Sequence, residues 1–332
     1  MTSPRRNDLL PARPERRRTP QWTESRMTND STPADRPAPP IGGFQEVDGR
    51  RIYVYRLGSG GPAVVFLPGA SAVGLDYLHL QQEVSRFTTA VVYDRGGTGY
   101  SDPLQLPRTA AAVATELHEL LHALDIAAPY VLVAHSLGGA YAQRFAQLYP
   151  REVAGLVWLD AFHGDYDKFM PPELSLTASE QMAPQLEQVK QLRPALREMG
   201  NKLFAAHPEH VRQALMDAHV SDEWLLSGHI ERTNMAVLAD ELQDGPDIPD
   251  VPMIALTVTG TDAADQAMLS EHLELAQRAR EGKKRLDATI VNSVSHGEHR
   301  ILSDAGHTFV IMDRPDAVVQ AIRDVVEWAR GA

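Results

Sequence analysis

The chain has 332 residues, 43% apolar and 23% charged, with a formal net charge of −12. The length allows two domains, but α/β folds often run to ~250 residues as one, and the acidic balance argues against a nucleic-acid-binding surface. With no cysteine, disulfides, cysteine nucleophiles and thiolate metal sites are excluded, and a reducing, cytoplasmic setting is the expectation; without a run of ~18 apolar residues, no membrane span is predicted.

Residues 1–40 are rich in Pro, Arg, Thr, Ser and Asp. They offer too little apolar surface to offset ordering entropy, which predicts a disordered N-terminal tail. Its basic pair, Arg5-Arg6, and triplet, Arg16-Arg17-Arg18, are not followed by the apolar stretch a secretory or twin-arginine signal needs. Order begins at Phe44. Residues 44–47 and 51–56 flank Asp48-Gly49, a hairpin signal. The apolar run 63–67 reads as a buried strand and enters the small-residue loop Pro68-Gly69-Ala70-Ser71-Ala72. A helix over 77–86 leads to a strand over 90–93, which ends in Asp94-Arg95-Gly96-Gly97-Thr98-Gly99-Tyr100-Ser101. A helix over 110–124 follows, with Leu117, Leu120, Leu121 and Leu124 at helical spacing. Then come a strand ending at Ala134-His135, a helix reaching Tyr149-Pro150, and a strand over 153–159 that delivers Asp160 at its carboxyl end. Strands alternating with helices at this spacing predict a mostly parallel, doubly wound α/β sheet.

The alternation stops at residue 163. Residues 163–249 read as helical, with helices near 178–198, 209–218 and 222–242, and with Pro184 and Pro194 placed to break the first. Such an insertion after the sixth strand predicts a helical cap on a core of 41–162 and 250–332. A strand over 252–259 resumes the sheet and ends in Gly260-Thr261-Asp262-Ala263-Ala264-Asp265. A helix over 265–280, an unassigned polar stretch over 282–298, a strand over 299–302, Gly306-His307 and a proline-started helix over 315–329 complete the chain.

The most informative stretch is Ala134-His135-Ser136-Leu137-Gly138-Gly139. An apolar strand, an abrupt turn with serine at its apex and a helix make a nucleophile elbow. The backbone approaches itself there, so the residues two before and two after the serine must be small; here they are Ala134 and Gly138. With Leu67-Pro68-Gly69-Ala70, the Asp94–Ser101 loop and Gly306-His307, each at the carboxyl end of a predicted strand, the chain resembles the α/β-hydrolases over 44–329.

The resemblance implies Ser136 as nucleophile, His307 as general base, and backbone N–H groups of Ala70 and Leu137 as oxyanion donors. Neutral imidazole can take the serine proton and return it to a leaving group. His135, next to the serine on an extended strand, points to the opposite side and reads as structural. The acid that holds the imidazole is open between Asp160, after the sixth strand, and Asp262 or Asp265, after the seventh; all keep the order Ser…Asp…His. The Asp94, Arg95, Gly97 and Gly99 loop reads as a structural clamp. Trp224, Leu225, Leu226, Met235, Leu238 and Phe169 are candidate pocket walls. No cofactor, metal or nucleotide-binding loop is expected. The implied activity is hydrolysis of a small-molecule ester, thioester or lactone. Perhydrolysis of the haloperoxidase type, carbon–carbon bond hydrolysis on the same triad, or a non-catalytic binding role remain alternatives.

Overall fold

The computed structural model describes residues 37–261 and 272–331. Residues 1–36, 262–271 and 332 lie outside them, and with them most of the expected tail and both Asp262 and Asp265.

Strands β1 (Gly43–Val47) and β2 (Arg50–Leu57) form an antiparallel hairpin. Both turn residues have positive φ, 50° at Asp48 and 74° at Gly49, the geometry that makes Asp-Gly a good two-residue hairpin loop. Then follow β3 (Val64–Leu67), α1 (Leu78–Val84), β4 (Ala90–Tyr93), α2 (Ala110–Ala123), β5 (Tyr130–His135), α3 (Gly138–Leu148) and β6 (Val153–Leu159). Every residue of β3, β4 and β5 is buried, because helices cover both faces of the sheet. Along β3 the side chains alternate: Val65 and Leu67 join the cluster under α2, α3 and the helix after β7, while Val64 and Phe66 join the one under α1 and the C-terminal helix. Thr109 caps α2, its hydroxyl accepting from the Ala112 N–H at 3.1 Å.

Between β6 and β7 lie seven described helices: α4 (Tyr166–Phe169), α5 (Leu176–Met182), α6 (Leu186–Gln191), α7 (Arg193–Leu203), α8 (Glu209–His219), α9 (Asp222–Arg232) and α10 (Met235–Gln243). The chain ends with β7 (Met253–Val258), α11 (Leu273–Val291), β8 (Gly297–Leu302), α12 (Val310–Asp313) and α13 (Pro315–Gly331). The eight strands lie in the order β1-β2-β4-β3-β5-β6-β7-β8. Only the β1–β2 and β2–β4 pairs are antiparallel. The order reverses at β3, so the loops after β3 and β5 open a crevice at their carboxyl ends, the position where sheets of this kind bind ligands. Among the described residues no helix is long and apolar enough to cross a membrane.

Several elements differ from the sequence expectation. The helix expected over 77–86 is a 3₁₀ turn, Gly74–Tyr77, followed by α1 ending at Val84. The helix expected over 178–198 is three pieces. α5 stops at Met182, before Ala183-Pro184, and Pro194 sits in the first turn of α7, where its missing N–H costs nothing. The helix expected over 222–242 is interrupted at Thr233-Asn234. The described part of the helix expected over 265–280 continues to Val291, through most of the polar stretch. Its buried side is narrow, with Leu286, Ile290 and Val291 set among lysines and arginines, so apolar content alone did not reveal it.

Candidate active site

β5 ends at His135 and α3 starts at Gly138, with Ser136 between them at φ 51°. A non-glycine residue in this region costs of order 1–3 kcal/mol and persists only where its surroundings fix it. Here they do: the Ser136 carbonyl accepts from the N–H groups of Gly139 (2.9 Å) and Phe162 (2.7 Å). A Cβ on Gly138 would lie 2.0 Å from the Leu67 carbonyl oxygen, and one on Gly139 2.1 Å from that of Phe162. The tightness anticipated at the elbow is thus a contact between α3 and the chain leaving β3 and β6.

Ser136 Oγ lies 3.0 Å from His307 Nε2, and His307 Nδ1 lies 2.5 Å from Asp160 Oδ2. His307 is carried by the segment after β8, and Asp160 follows β6 at φ 44°. With Nδ1–H donating to the carboxylate, Nε2 is free to accept the serine proton. Asp160 is 5% exposed. Burial opposes its ionisation, but Lys283, the hydrogen bond to His307 and the Val258 N–H hold it well below the ordinary carboxylate range. Lys283, from α11, places its ammonium 3.3 Å from Asp160 Oδ1 and donates to the Asp160 carbonyl at 3.0 Å. Burial opposes its charge too, yet Asp160 and Asp287 keep its pKa above the usual lysine value. Asp287, one turn on, is pushed by burial up to about 6, with Lys283 pulling the other way; it accepts from the Thr257 hydroxyl. Lys283 fell in the stretch that the sequence left unassigned. Its one signal is the Lys283–Asp287 spacing of four on what proves to be a helix.

The Pro68–Ala72 loop lies against the serine: a Cβ on Gly69 would be 3.0 Å from Ser136 Cβ. The Ala70 and Leu137 N–H groups have no hydrogen-bond partner among the described residues. The loop is held by Arg95, which donates to the carbonyls of Pro68 (2.7 Å) and Gly69 (3.1 Å) and to Glu231 Oε1 (2.7 Å). Glu231, on α9, accepts in turn from the Ser71 N–H at 3.1 Å. The two side chains are 2% and 5% exposed. Asp94 receives the N–H groups of Gly74 (2.7 Å) and Tyr100 (2.8 Å). Burial pushes its carboxyl up to about 7, against the pull of those two N–H groups. The Asp94–Arg95 loop therefore clamps backbone. That Glu231 would join it from a distant helix had no signal in the sequence.

His135 is buried, and burial followed by the neighbouring His307 brings its pKa down to about 3. The neutral ring donates from Nε2 to the His307 carbonyl (3.0 Å) and accepts at Nδ1 from the Tyr77 hydroxyl (2.7 Å). Tyr77 receives the Gly69 N–H at 3.4 Å. Hydrogen bonds thus run from the loop beside Ser136 to the backbone of His307, through a tyrosine that the sequence did not single out.

These groups open on a cavity of about 420 Å³. Ser136 and His307 lie on its wall, and Leu196, Met199, Met216, Trp224, Leu225 and Met235 from the inserted helices complete it. Of the other candidate wall residues, Leu226 and Phe169 are not on it, and Leu238 is packed in the core with α3. Among the described residues, His118, His122 and Glu152 form a cluster that could hold a metal ion, with ligand atoms within 4.8 Å of one another. None of the three is on the cavity wall.

Residues 64–321 match the model of the alpha/beta hydrolase family. YbdG of Bacillus subtilis is 32% identical over 117 residues, 35% of this chain and 36% of YbdG. The chain spans well under two thirds of the curated relatives it matches. The fold is shared with an esterase from Exiguobacterium antarcticum (TM-score 0.59, 20% identity, 86% of this chain and 99% of that one). It is also shared with Est816, described as an N-acyl homoserine lactone degrading enzyme (TM-score 0.56, 22% identity, 85% and 99%). The family match covers the sheet from β3 onward, the elbow and the His307 segment, and the chain belongs to the alpha/beta hydrolase family.

Proposed function

We propose that the protein is a serine hydrolase that cleaves an ester, thioester or lactone of a small molecule through an acyl-enzyme on Ser136. The observation that carries the reading is the continuous line Ser136 Oγ–His307 Nε2 (3.0 Å) and His307 Nδ1–Asp160 Oδ2 (2.5 Å). His307 takes the hydroxyl proton as Oγ attacks the carbonyl carbon, then returns it to the departing alcohol or thiol. Asp160 stays ionised, fixes the tautomer and stabilises the imidazolium; Lys283 keeps that carboxylate charged. The carbonyl oxygen, gaining negative charge, is received by the N–H groups of Ala70 and Leu137, the latter at the positive end of α3. Water activated by His307 then releases the acid. The apolar cavity wall suits a substrate with a hydrocarbon body.

A fluorophosphonate probe tests the reading directly, because it labels an activated serine without requiring the right acyl group. Stoichiometric labelling of the wild type, lost in Ser136→Ala, together with turnover of short and medium p-nitrophenyl esters, is the expected result. Folded wild-type protein that takes up no label would sink it.

A further inference from the structure

The cavity wall carries few charged groups beyond the His307 site, and most have partners. Asp76 Oδ1 lies 2.9 Å from His219 Nε2, and the other Asp76 oxygen accepts from the Val73 N–H at 3.1 Å. Arg232, the last residue of α9, differs. It is on the cavity wall with Ser136 and His307, yet it makes no hydrogen bond or ion pair with any described residue. Its neighbour Glu231 is not available to it, being committed to Arg95 and the Ser71 N–H. One residue on, the helix turns by about 100°, so Glu231 meets the loop while Arg232 is turned away from that pair.

Arg232 is exposed, but protein surrounds it closely enough that burial pulls its pKa below the ordinary arginine value, with Glu231 opposing. A guanidinium stays charged at any working pH, and Arg232 shares the cavity wall with Leu196, Met199 and Met235, so its donors are open to a ligand there. An anion in the cavity would pair with it, most of all a planar carboxylate that can take two parallel N–H donors.

We infer that Arg232 forms an anion subsite, and that the preferred substrate carries a carboxylate in addition to the bond attacked at Ser136. The inference deepens the serine-hydrolase reading by naming a substrate class, and its test does not depend on turnover.

Binding is measured by calorimetry on Ser136→Ala, which holds an intact ester. Two matched pairs are compared: monomethyl adipate against methyl hexanoate, for a carboxylate on the acyl side, and para-acetoxybenzoate against phenyl acetate, for one on the leaving-group side. In at least one pair the charged member should bind about tenfold tighter or better, the range of a charge-assisted hydrogen bond. Adding Arg232→Gln should bring that ratio toward one, and Arg232→Lys, which keeps the charge and loses the fork, should leave it between the two. A side chain without partners can be replaced with little risk to folding, and thermal melts of both variants check this. The inference is overturned if neither pair favours the charged member, or if the preference survives Arg232→Gln. Absence of fluorophosphonate labelling would defeat the hydrolase reading instead, with the binding ratio still deciding this one.

Discussion

Glu231→Gln tests how the inserted helices and the Ser136 site are joined. Glu231 and Arg95 are 5% and 2% exposed, with Nη2 to Oε1 at 2.7 Å, and Glu231 also receives the Ser71 N–H. Removing one partner of a buried ion pair costs about 3–5 kcal/mol, because the other charge is left without compensation. Arg95 keeps the Pro68 and Gly69 carbonyls, so the loss should fall near the lower end, about 3 kcal/mol. Urea unfolding of wild type, Glu231→Gln, Arg95→Met and the double variant makes the cycle. The double variant should be more stable than the sum of the single losses implies, by about 2 kcal/mol, since residues in one network couple by 0.5–3 kcal/mol. The same variants should label with fluorophosphonate several-fold more slowly, because the loop that presents the Ala70 N–H loses its anchor. Single losses that add to within ~0.5 kcal/mol, or a labelling rate unchanged in Glu231→Gln, would refute the clamp.

Four further outcomes follow from the same geometry. Asp94 has a folded-state pKa of about 7, above its unfolded value, so the native state holds the extra proton and stability falls as pH rises from ~4 to ~7. The difference in unfolding free energy between Asp94→Asn and wild type should therefore shift in favour of the variant across that window, read by urea melts at its two ends. Lys283→Met removes the cation that keeps the Asp160 pKa low. The stability of a carboxylate with a depressed pKa is present above its unfolded value and lost as pH falls through its folded value, so in this variant both stability and kcat/KM should begin to fall at higher pH than in wild type. Tyr77→Phe leaves His135 Nδ1 without its donor and should cost about 1–3 kcal/mol in a denaturant melt. Gly138→Ala would press a methyl group to 2.0 Å from the Leu67 carbonyl; soluble protein labelled at the wild-type rate would contradict the packing described for the elbow.

What was legible in the sequence was local. The β5 strand announces itself by an unbroken apolar run because both its faces are covered, and the serine after it stands between residues small enough for the backbone to close on itself. The prolines at 184 and 194 marked breaks because proline lacks an N–H and fixes φ. The inserted helices were recognisable as helical, though not their boundary at Thr233-Asn234, which no proline or glycine marks. Phe169 and Leu238 were candidate walls by residue type, but which face of a helix meets a cavity depends on its packing, and Leu238 is turned to the core.

Ser136, Asp160 and His307 stand at the ends of β5, β6 and β8, and the order serine, acid, histidine could be read from the sequence, with the acid open between Asp160, Asp262 and Asp265. Their separation could not: Asp160 and His307 are 147 positions apart and meet at 2.5 Å only because parallel strands deliver their carboxyl ends to one edge of the sheet. The same holds more strongly for Lys283, Glu231 and Tyr77. Each is an ordinary residue in an ordinary helix or turn, and its part is set by burial and by a partner far along the chain. Periodicity and small-residue spacing act within a few residues, so the sequence by itself determined the strands of the sheet and the elbow, and the inserted region only as helical. The paths of hydrogen bonds and charge that support His307 and the Pro68–Ala72 loop cross between elements, and only the tertiary structure decided them.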